Sequence, residues 1–278
     1  MRTNRLLGKF LLKNRVAIIS GGAGLLGKKH AEAIAEMGGI PILLDIDKIN
    51  GEIIAAKISK KYRTTCLFEN CDITDEQNLQ HVRNKSIRQF KHIDILINNA
   101  AIDPKVKGSE NSQPSRLENF TLEQWNMEIS VGLTGAMLCS KVFGSEMAKF
   151  GSGVIINVSS DLGLISPDQR LYKQKGLPKD QQPVKPVTYS VIKHGIIGLT
   201  KYLATYWAEQ GVRANSISPG GVYTSQPKQF VEKISELIPM GRMAEENEYK
   251  AAIIFLCSDA SSYMTGANLV IDGGRTVL

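Results

Sequence analysis

The chain lacks any apolar run that approaches the roughly 18 residues of a membrane-spanning helix. Its start, MRTNRLLGKFLLKNR, has arginine and lysine among scattered leucines, without the continuous apolar core or the small-residue cleavage site of a secretory signal. The sequence therefore indicates neither a membrane protein nor a secreted one. We expect a cytoplasmic protein that does not enter a membrane.

Cysteine is scarce, and its spacing excludes the common metal and redox motifs. No CxxC pair occurs, and no histidine lies near a cysteine at metal-ligand spacing. We therefore expect no bound metal and only reduced core thiols, at Cys66, Cys71, Cys139 and Cys257.

Basic residues exceed acidic ones, but they form no block. Lysine and arginine total 34 against 27 aspartates and glutamates, for a net charge of +7. The basic residues are spread along the chain without interleaved aromatics, so nucleic acid is not expected as a partner. A small anionic ligand suits the positive charge better.

A nucleotide-binding βα unit is indicated near the start of the chain. The β-branched run VAIIS stops at glycines, Gly21, Gly24 and Gly27, and an amphipathic stretch follows. The glycines let the backbone approach a pyrophosphate, and helix N-terminal amides then face its charge. The next apolar segment ends in Asp45, about 20 residues on, where an acidic residue commonly bonds the adenosine ribose. Asp45 could also cap the following helix, and both roles are compatible.

Strand-like and helix-like segments alternate along the whole chain, and most of the strand-like ones are continuously apolar. This pattern is typical of a parallel sheet covered on both faces. The predicted fold is α/β, a Rossmann-like doubly wound parallel sheet of about seven strands with helices on both faces. No linker or repeat divides residues 1–278, so a single domain is predicted. The predicted strands are residues 16–20, 40–45, 64–69, 93–97, 154–158, 212–218 and 268–274.

A candidate acid–base pair lies in a later helical stretch. Tyr189 and Lys193 are four residues apart and share a helix face. A free tyrosine, with a pKa of about 10, is a poor acid–base at neutral pH. A nearby ammonium favours the phenolate and brings the pKa closer to the working range. Alone, such a pair more often lies on the protein surface without a catalytic function, so the rest of the chain must decide whether it is significant.

Several ordered motifs together resemble the short-chain dehydrogenase/reductase family, in its short, non-extended branch, over residues 16–274. Each motif is weak singly, but their order is highly specific. They are the glycine loop at 20–27, Asp72, Asn98-Asn99-Ala100, Asn157-Val158-Ser159-Ser160, Tyr189 with Lys193, Pro219-Gly220 with Thr224, and Asp272-Gly273-Gly274. The segments SSDLGLISPDQRLY, VTYSVIKHG, SPGGV and IDGGRT also resemble the flagellin modification protein A subgroup, which is associated with surface-sugar or nonulosonic-acid biosynthesis.

The resemblance implies catalytic roles for Ser160, Tyr189 and Lys193. Tyr189 would exchange the proton, Lys193 would bond the nicotinamide ribose, and Ser160 would hold the substrate oxygen. Ser159 has the same local chemistry as Ser160, and only the motif register selects between them. Thr224 could instead cap a helix after residue 225. The cofactor-binding residues that the resemblance implies are Gly21, Gly24, Leu25, Leu26, Gly27, Asp45, Ile46, Asp72, Ile73, Asn99, Ala100, Tyr189, Lys193, Pro219, Val222 and Thr224.

The chain also departs from the family pattern. Leu25 stands where the short branch usually has glycine, and Gly132 stands where many relatives have an active-site asparagine. The segment between Ser160 and Tyr189, residues 161–188, is unusually long, and we call it the flap. Its prolines and glycines exclude one regular helix. Basic residues outnumber acidic ones there, which predicts recognition of an anionic substrate; a solvated loop is the alternative. The basic residues are Arg170, Lys173, Lys175, Lys179 and Lys185.

The leading functional hypothesis is an NAD-dependent oxidoreductase, with NADP less favoured, acting on a carbonyl or secondary alcohol of a sugar or sugar nucleotide. A 3-oxoacyl-thioester reductase is one alternative, weakly disfavoured by the long flap. A non-catalytic NAD-binding regulator is another, supported only by the missing asparagine. The resemblance also implies a homotetramer that packs through helices over residues 122–150 and 187–210. Apolar residues there could cover such faces or belong to the core: Met137, Leu138, Val142, Tyr206 and Trp207.

Overall fold

The computed structural model describes residues 5–102 and 114–278, with Arg5 described by its backbone alone. Most of the polar segment 102–120, whose composition predicts an exposed loop, lies outside the described residues. Its described end contains one 3-10 turn, Leu117–Asn119.

Seven parallel strands form one sheet in the order β3-β2-β1-β4-β5-β6-β7, so the predicted fold class is confirmed. Strands β1, β4 and β5 are buried along their whole length, which explains their continuously apolar sequences. Two predicted strands begin too early and one ends too late. The observed bounds are β1 Val16–Ser20, β2 Ile40–Asp45, β3 Leu67–Asn70, β4 Ile95–Asn98, β5 Gly153–Val158, β6 Val212–Pro219 and β7 Asn268–Ile271.

Helices cover both faces of this sheet. Two π turns, Ser130–Thr134 and Ser140–Gly144, join three short helices into one stretch, so the predicted helical stretch over 122–150 is confirmed. The helices are α1 Arg5–Gly8, α2 Leu25–Glu36, α3 Lys48–Tyr62, α4 Glu76–Phe90, α5 Leu122–Ile129, α6 Gly135–Cys139, α7 Ser145–Phe150, α8 Val187–Tyr206, α9 Lys228–Glu236 and α10 Lys250–Cys257.

Alternate residues of β1 pack in the two halves of the core, because successive side chains of a strand point to opposite faces of the sheet. Ala17 and Ile19 pack in the cluster formed with α2, α3 and α10. Val16 and Ile18 pack in the cluster formed with α4, α8 and the helix over 122–150. The sheet is therefore buried on both sides, and its carboxyl edge is left to form a site.

The helix cap considered at Asp45 is wrong by two residues. Helix α3 is capped by Asp47, whose carboxylate accepts a hydrogen bond from the amide of Asn50. Helix α4 is likewise capped by an aspartate, Asp75. In both helices an aspartate directly before the first turn reaches its free amides.

All four cysteines are buried free thiols. Burial raises the pKa of Cys66 and of Cys71 to about 12, so neither is a thiolate near neutral pH. Within residues 5–102 and 114–278, no cluster of histidine, cysteine, aspartate or glutamate could hold a metal ion. Over the same ranges, every helix is too short or too polar to cross a membrane.

Candidate active site

A cavity of about 760 Å³ opens at the carboxyl edge of the sheet. The strand order reverses between β1 and β4, so the neighbouring connections leave to opposite faces and a crevice forms between them. Every residue proposed from the sequence as catalytic or cofactor-binding lines this cavity, apart from Gly27.

The glycine loop is shaped by close backbone contacts. Gly21 has φ +62°, and a Cβ there would lie 2.8 Å from the Cα of Ala100. A Cβ at Gly27 would lie 2.1 Å from the carbonyl oxygen of Gly21, so Gly27 closes the turn from inside instead of lining the cavity. Helix α2 starts at Leu25 after Gly24, which offers no capping side chain. The first amides of α2 therefore remain for an anionic ligand.

Two side chains attach neighbouring strands to this loop. The carboxylate of Asp45 accepts hydrogen bonds from the amides of Ala23 at 2.9 Å and Asp47 at 3.1 Å. The Asn99 side chain donates to the carbonyl oxygens of Ser20 at 3.1 Å and Gly21 at 3.0 Å. The loop, the acidic end of β2 and the end of β4 thus form one wall with the shape and donors that suit a dinucleotide.

At the other end of the cavity the two candidate serines have different partners. The Ser159 hydroxyl donates to the carbonyl oxygen of Lys193 at 2.7 Å, which joins the end of β5 to α8. The Ser160 hydroxyl donates to the carboxylate of Asp161 at 2.7 Å. Ser159 is therefore committed to a backbone contact, whereas Ser160 bonds a side chain that also lines the cavity.

The side chain of Lys193 is buried and points at the end of β5. Its Nζ donates to the carbonyl oxygen of Val158 at 2.9 Å and lies 5.7 Å from the centre of the Tyr189 ring. A second ammonium, that of Lys185 in the flap, lies 3.8 Å from the same ring centre. The aromatic ring of Tyr189 thus has a cation on α8 and a cation on the flap.

The position of the family's asparagine is filled by apolar packing. A Cβ at Gly132 would lie 2.8 Å from Cγ2 of Ile192 in α8. Ile192 packs in a small cluster with Ala136 and Ile196. An asparagine side chain would not fit at residue 132 unless Ile192 moved.

A buried polar network supports the site from below. The Asn98 amide donates to the Asn157 side chain at 2.8 Å and to the Ser140 hydroxyl at 3.0 Å. Asn157 in turn donates to the Thr200 hydroxyl at 2.9 Å. These bonds join β4, β5, α8 and the helix over 122–150, and they hold the strand ends that carry Asn99 and Ser159 in register.

An ion pair between Asp161 and Arg275 was missed by sequence reasoning. The two side chains are 2.6 Å apart, buried, and part of the cavity wall. Arg275 follows the turn Asp272-Gly273-Gly274, in which both glycines have positive φ. Nothing local in the sequence shows that this turn brings an arginine to Asp161.

Before α8 begins at Val187, the flap has only short 3-10 turns, as its prolines and glycines predict. Leu171 packs with Ile234, at the face of α9 that meets the flap. Tyr172 and Lys185 line the cavity. The other four basic flap residues proposed to recognise an anion do not line it, and Arg170 instead pairs with Asp168 at 2.7 Å. This arginine lowers the pKa of Asp168 to about 2. The remaining three, Lys173, Lys175 and Lys179, are exposed.

Thr224 lines the cavity and does not cap a helix. Helix α9 begins after Pro227, which provides no capping side chain, so the alternative role is wrong. The amide of Thr224 donates to the Gln226 side chain at 2.8 Å, which in turn donates to the carbonyl oxygen of Val222 at 2.8 Å. These two hydrogen bonds hold the segment after β6 at the cavity wall.

Comparison with known proteins agrees with this geometry. A family model described as Enoyl-(Acyl carrier protein) reductase matches residues 22–276. An NAD-dependent glycerol dehydrogenase of Listeria innocua serovar 6a is 33% identical over 273 residues, covering 96% of this chain and 96% of that protein. An NADP-dependent mannitol dehydrogenase of Hypocrea jecorina is 32% identical over 280 residues, covering 98% of this chain and 96% of that protein.

The fold is also similar to that of solved structures. A short-chain type dehydrogenase/reductase from Mycobacterium marinum aligns with a TM-score of 0.83 at 28% identity, covering 98% of this chain and 99% of that chain. From the family match, the two relatives and this structural likeness, we conclude that the chain belongs to the short-chain dehydrogenase/reductase family and is a nicotinamide-dependent oxidoreductase acting on CH–OH groups.

Proposed function

We propose that the protein is an NAD-dependent dehydrogenase that interconverts a secondary alcohol and a carbonyl in a sugar, a sugar nucleotide or a related polyol. One observation supports this most directly: a single cavity has Asp45 and the glycine loop at one end and Ser160, Tyr189 and Lys193 at the other. The relatives named for glycerol and mannitol agree with a polyhydroxy substrate. The resemblance to the flagellin modification protein A subgroup favours surface-sugar or nonulosonic-acid biosynthesis in the cytoplasm as its setting.

The proposed chemistry assigns a role to each of the three side chains Ser160, Tyr189 and Lys193. A bound nicotinamide supplies hydride acceptance or donation. Tyr189 takes the substrate hydroxyl proton in oxidation and returns it in reduction. Ser160 donates a hydrogen bond to the substrate oxygen, for which its hydroxyl must turn away from Asp161. Lys193, held by the carbonyl oxygen of Val158, favours the phenolate of Tyr189 and bonds the nicotinamide ribose.

The preference for NAD follows from Asp45. Its carboxylate lies beside the glycine loop, where it would accept hydrogen bonds from the ribose hydroxyls and repel a 2′-phosphate. The nearby Lys28 lies 3.7 Å from the carboxylate of Glu246, an ion pair that offsets its charge. The surroundings of the ribose position therefore favour the uncharged hydroxyl.

The cavity walls also bear on the competing activities. A 3-oxoacyl-thioester reductase needs room for an acyl chain, and the family description names an acyl-carrier-protein substrate. Here the flap packs on α9, with the rings of Tyr172 and Phe230 5.8 Å apart at the cavity wall. This contact limits the room on the flap side of the cavity and favours a compact substrate. A non-catalytic regulator is disfavoured because the cavity brings together Ser160, Tyr189 and Lys193.

The proposal is tested by turnover. The purified protein is assayed with NAD(H) and NADP(H) against polyols, sugar nucleotides and 3-oxoacyl thioesters. We expect turnover of a polyol or sugar compound with NAD(H), and loss of that turnover in Tyr189→Phe with cofactor affinity nearly unchanged. Faster turnover of the acyl thioesters would favour the alternative enzyme, and the absence of any turnover would favour the regulator.

We also propose a homotetramer that packs through α8 and the helix over 122–150. Met137 and Tyr206 are exposed on these helices, as an interface requires, and Tyr202 stacks on Tyr206 at 5.4 Å. Leu138 and Trp207 instead pack in the core, and Val142 is buried there. Sedimentation at micromolar concentration should give a tetramer, and a monomer would refute this assignment.

A further inference from the structure

We propose that Lys185 is a positioning residue for Tyr189: Gln169 fixes the backbone of Lys185, and the ammonium of Lys185 lies over the tyrosine ring and favours the phenolate from the flap side. This inference rests on the proposed role of Tyr189 as the acid–base group. It assigns the flap a part in the chemistry in addition to its part in the cavity wall.

The position of the Lys185 ammonium is the first observation. Its Nζ lies 3.8 Å from the centre of the Tyr189 ring, well inside the roughly 6 Å range of cation–π attraction. The Nζ of Lys193 lies farther from that centre, at 5.7 Å. All three side chains line the same cavity.

The backbone of Lys185 is clamped, which is the second observation. Its amide donates to Oε1 of Gln169 at 2.8 Å, and its carbonyl oxygen accepts from Nε2 of the same side chain at 3.3 Å. Helix α8 begins two residues later, after Pro186 at its N-cap position, so the clamp lies one helical turn from Tyr189. Because Leu171 packs with Ile234 of α9, the flap turn that carries Gln169 is itself anchored.

Two carboxylates lie on elements that adjoin the cavity, and each has a partner. After β5, Asp161 pairs with Arg275 of the C-terminal turn at 2.6 Å. On α5, the buried Glu128 accepts a hydrogen bond from the Thr188 hydroxyl. The ammonium groups of Lys193 and Lys185 both lie within about 6 Å of the centre of the Tyr189 ring.

The absence of an asparagine at residue 132 is consistent with a role for Lys185 near Tyr189. At residue 132 the chain has glycine, and Ile192 fills the adjoining space. The helix over 122–150 therefore supplies no amide at that position. The long flap supplies a polar group to the tyrosine instead, the ammonium of Lys185.

A direct titration of the phenol tests the inference without any substrate. Ultraviolet difference titration of the wild type against Tyr189→Phe isolates this one ionisation among the eight tyrosines. In Lys185→Met, the midpoint of that ionisation should move to higher pH by about one unit, because a nearby cation that favours the phenolate is lost. Lys185→Arg keeps the cation and should stay close to the wild type. Gln169→Leu, which frees the clamp, should lie between them.

Lys175→Met is the matched control, because Lys175 is an exposed flap lysine that does not line the cavity. Its midpoint should equal that of the wild type. With an active substrate, the pH at which oxidation reaches half its plateau in kcat/KM should follow the same order of variants. An unchanged midpoint in a folded, cofactor-binding Lys185→Met protein would overturn the inference, as would a higher KM as its sole effect. If no substrate is turned over, the proposed function fails, while the titration still decides the role of Lys185.

Discussion

Arg275 and Asp161 form a 2.6 Å ion pair whose side chains are 6% and 4% exposed, and the same carboxylate accepts a hydrogen bond from Ser160. The C-terminal turn is thus connected through two contacts to a proposed catalytic hydroxyl. A charge buried this deeply is stable only while its partner is present.

We therefore expect Arg275→Met to lower the free energy of unfolding by about 3–5 kcal/mol, because Asp161 is left as an unpaired buried charge. The double variant with Asp161→Asn should recover much of this loss, since no charge then remains unpaired. Denaturant unfolding of both variants measures the difference. A loss below about 1 kcal/mol in Arg275→Met would show that the pair contributes little.

Asp45 should control the choice of cofactor. Asp45→Asn keeps the size of the side chain but removes the charge that repels a 2′-phosphate, so NADPH affinity should rise by about tenfold or more relative to NADH. Isothermal titration with both cofactors checks this. Asp72→Asn is the control, because it removes another carboxylate from the wall of the same cavity and should leave the ratio of the two affinities unchanged.

The two adjacent serines should respond differently to alanine. Ser160→Ala should lower kcat by roughly 10²–10³ while the fold remains stable, since a donor to the reacting oxygen is lost. Ser159→Ala removes the 2.7 Å bond to the carbonyl oxygen of Lys193 and should cost about 1–3 kcal/mol of stability. Kinetics and denaturant unfolding of both variants separate the roles. The reverse pattern would assign the catalytic role to Ser159.

His30 should make the protein sensitive to acid. It is fully buried in α2, and this burial lowers its pKa from 6.5 to about 4. Above pH 6.5 both states leave it neutral. Between pH 6.5 and 4 the unfolded chain binds a proton that the folded chain does not. The free energy of unfolding therefore decreases as the pH is lowered through this range. From pH 7 to pH 5 this one group should lower the free energy of unfolding by about 2 kcal/mol.

Substitution of His30 isolates this contribution. His30→Met should have a smaller loss of stability from pH 7 to pH 5 than the wild type, as measured by urea unfolding at each pH. His81→Gln, at an exposed histidine of α4, should behave as the wild type. If the loss on acidification were the same in His30→Met, other groups would have to account for it.

The sequence alone determined the sheet, the glycine loop and the catalytic spacing. Each of these features can be recognised from a few consecutive residues: strand runs such as VAIIS, the glycines at 21, 24 and 27, and the Tyr189–Lys193 interval. Their periodicity and backbone conformations depend on local geometry. For this reason the fold class was predicted correctly, and every residue predicted as catalytic or cofactor-binding, except Gly27, lines one cavity.

Only the tertiary structure decided which distant groups meet. The pairing of Asp161 with Arg275 spans 114 positions, and it depends on β7 lying beside β6 so that the last turn returns to the cavity. The contact of Gly132 with Ile192 depends on how two helices pack. Among five basic flap residues of similar character, only the folded chain selects Lys185 as the one over Tyr189. The physical reason is that such contacts depend on the packing of several elements in space, and no local pattern of residues records that packing.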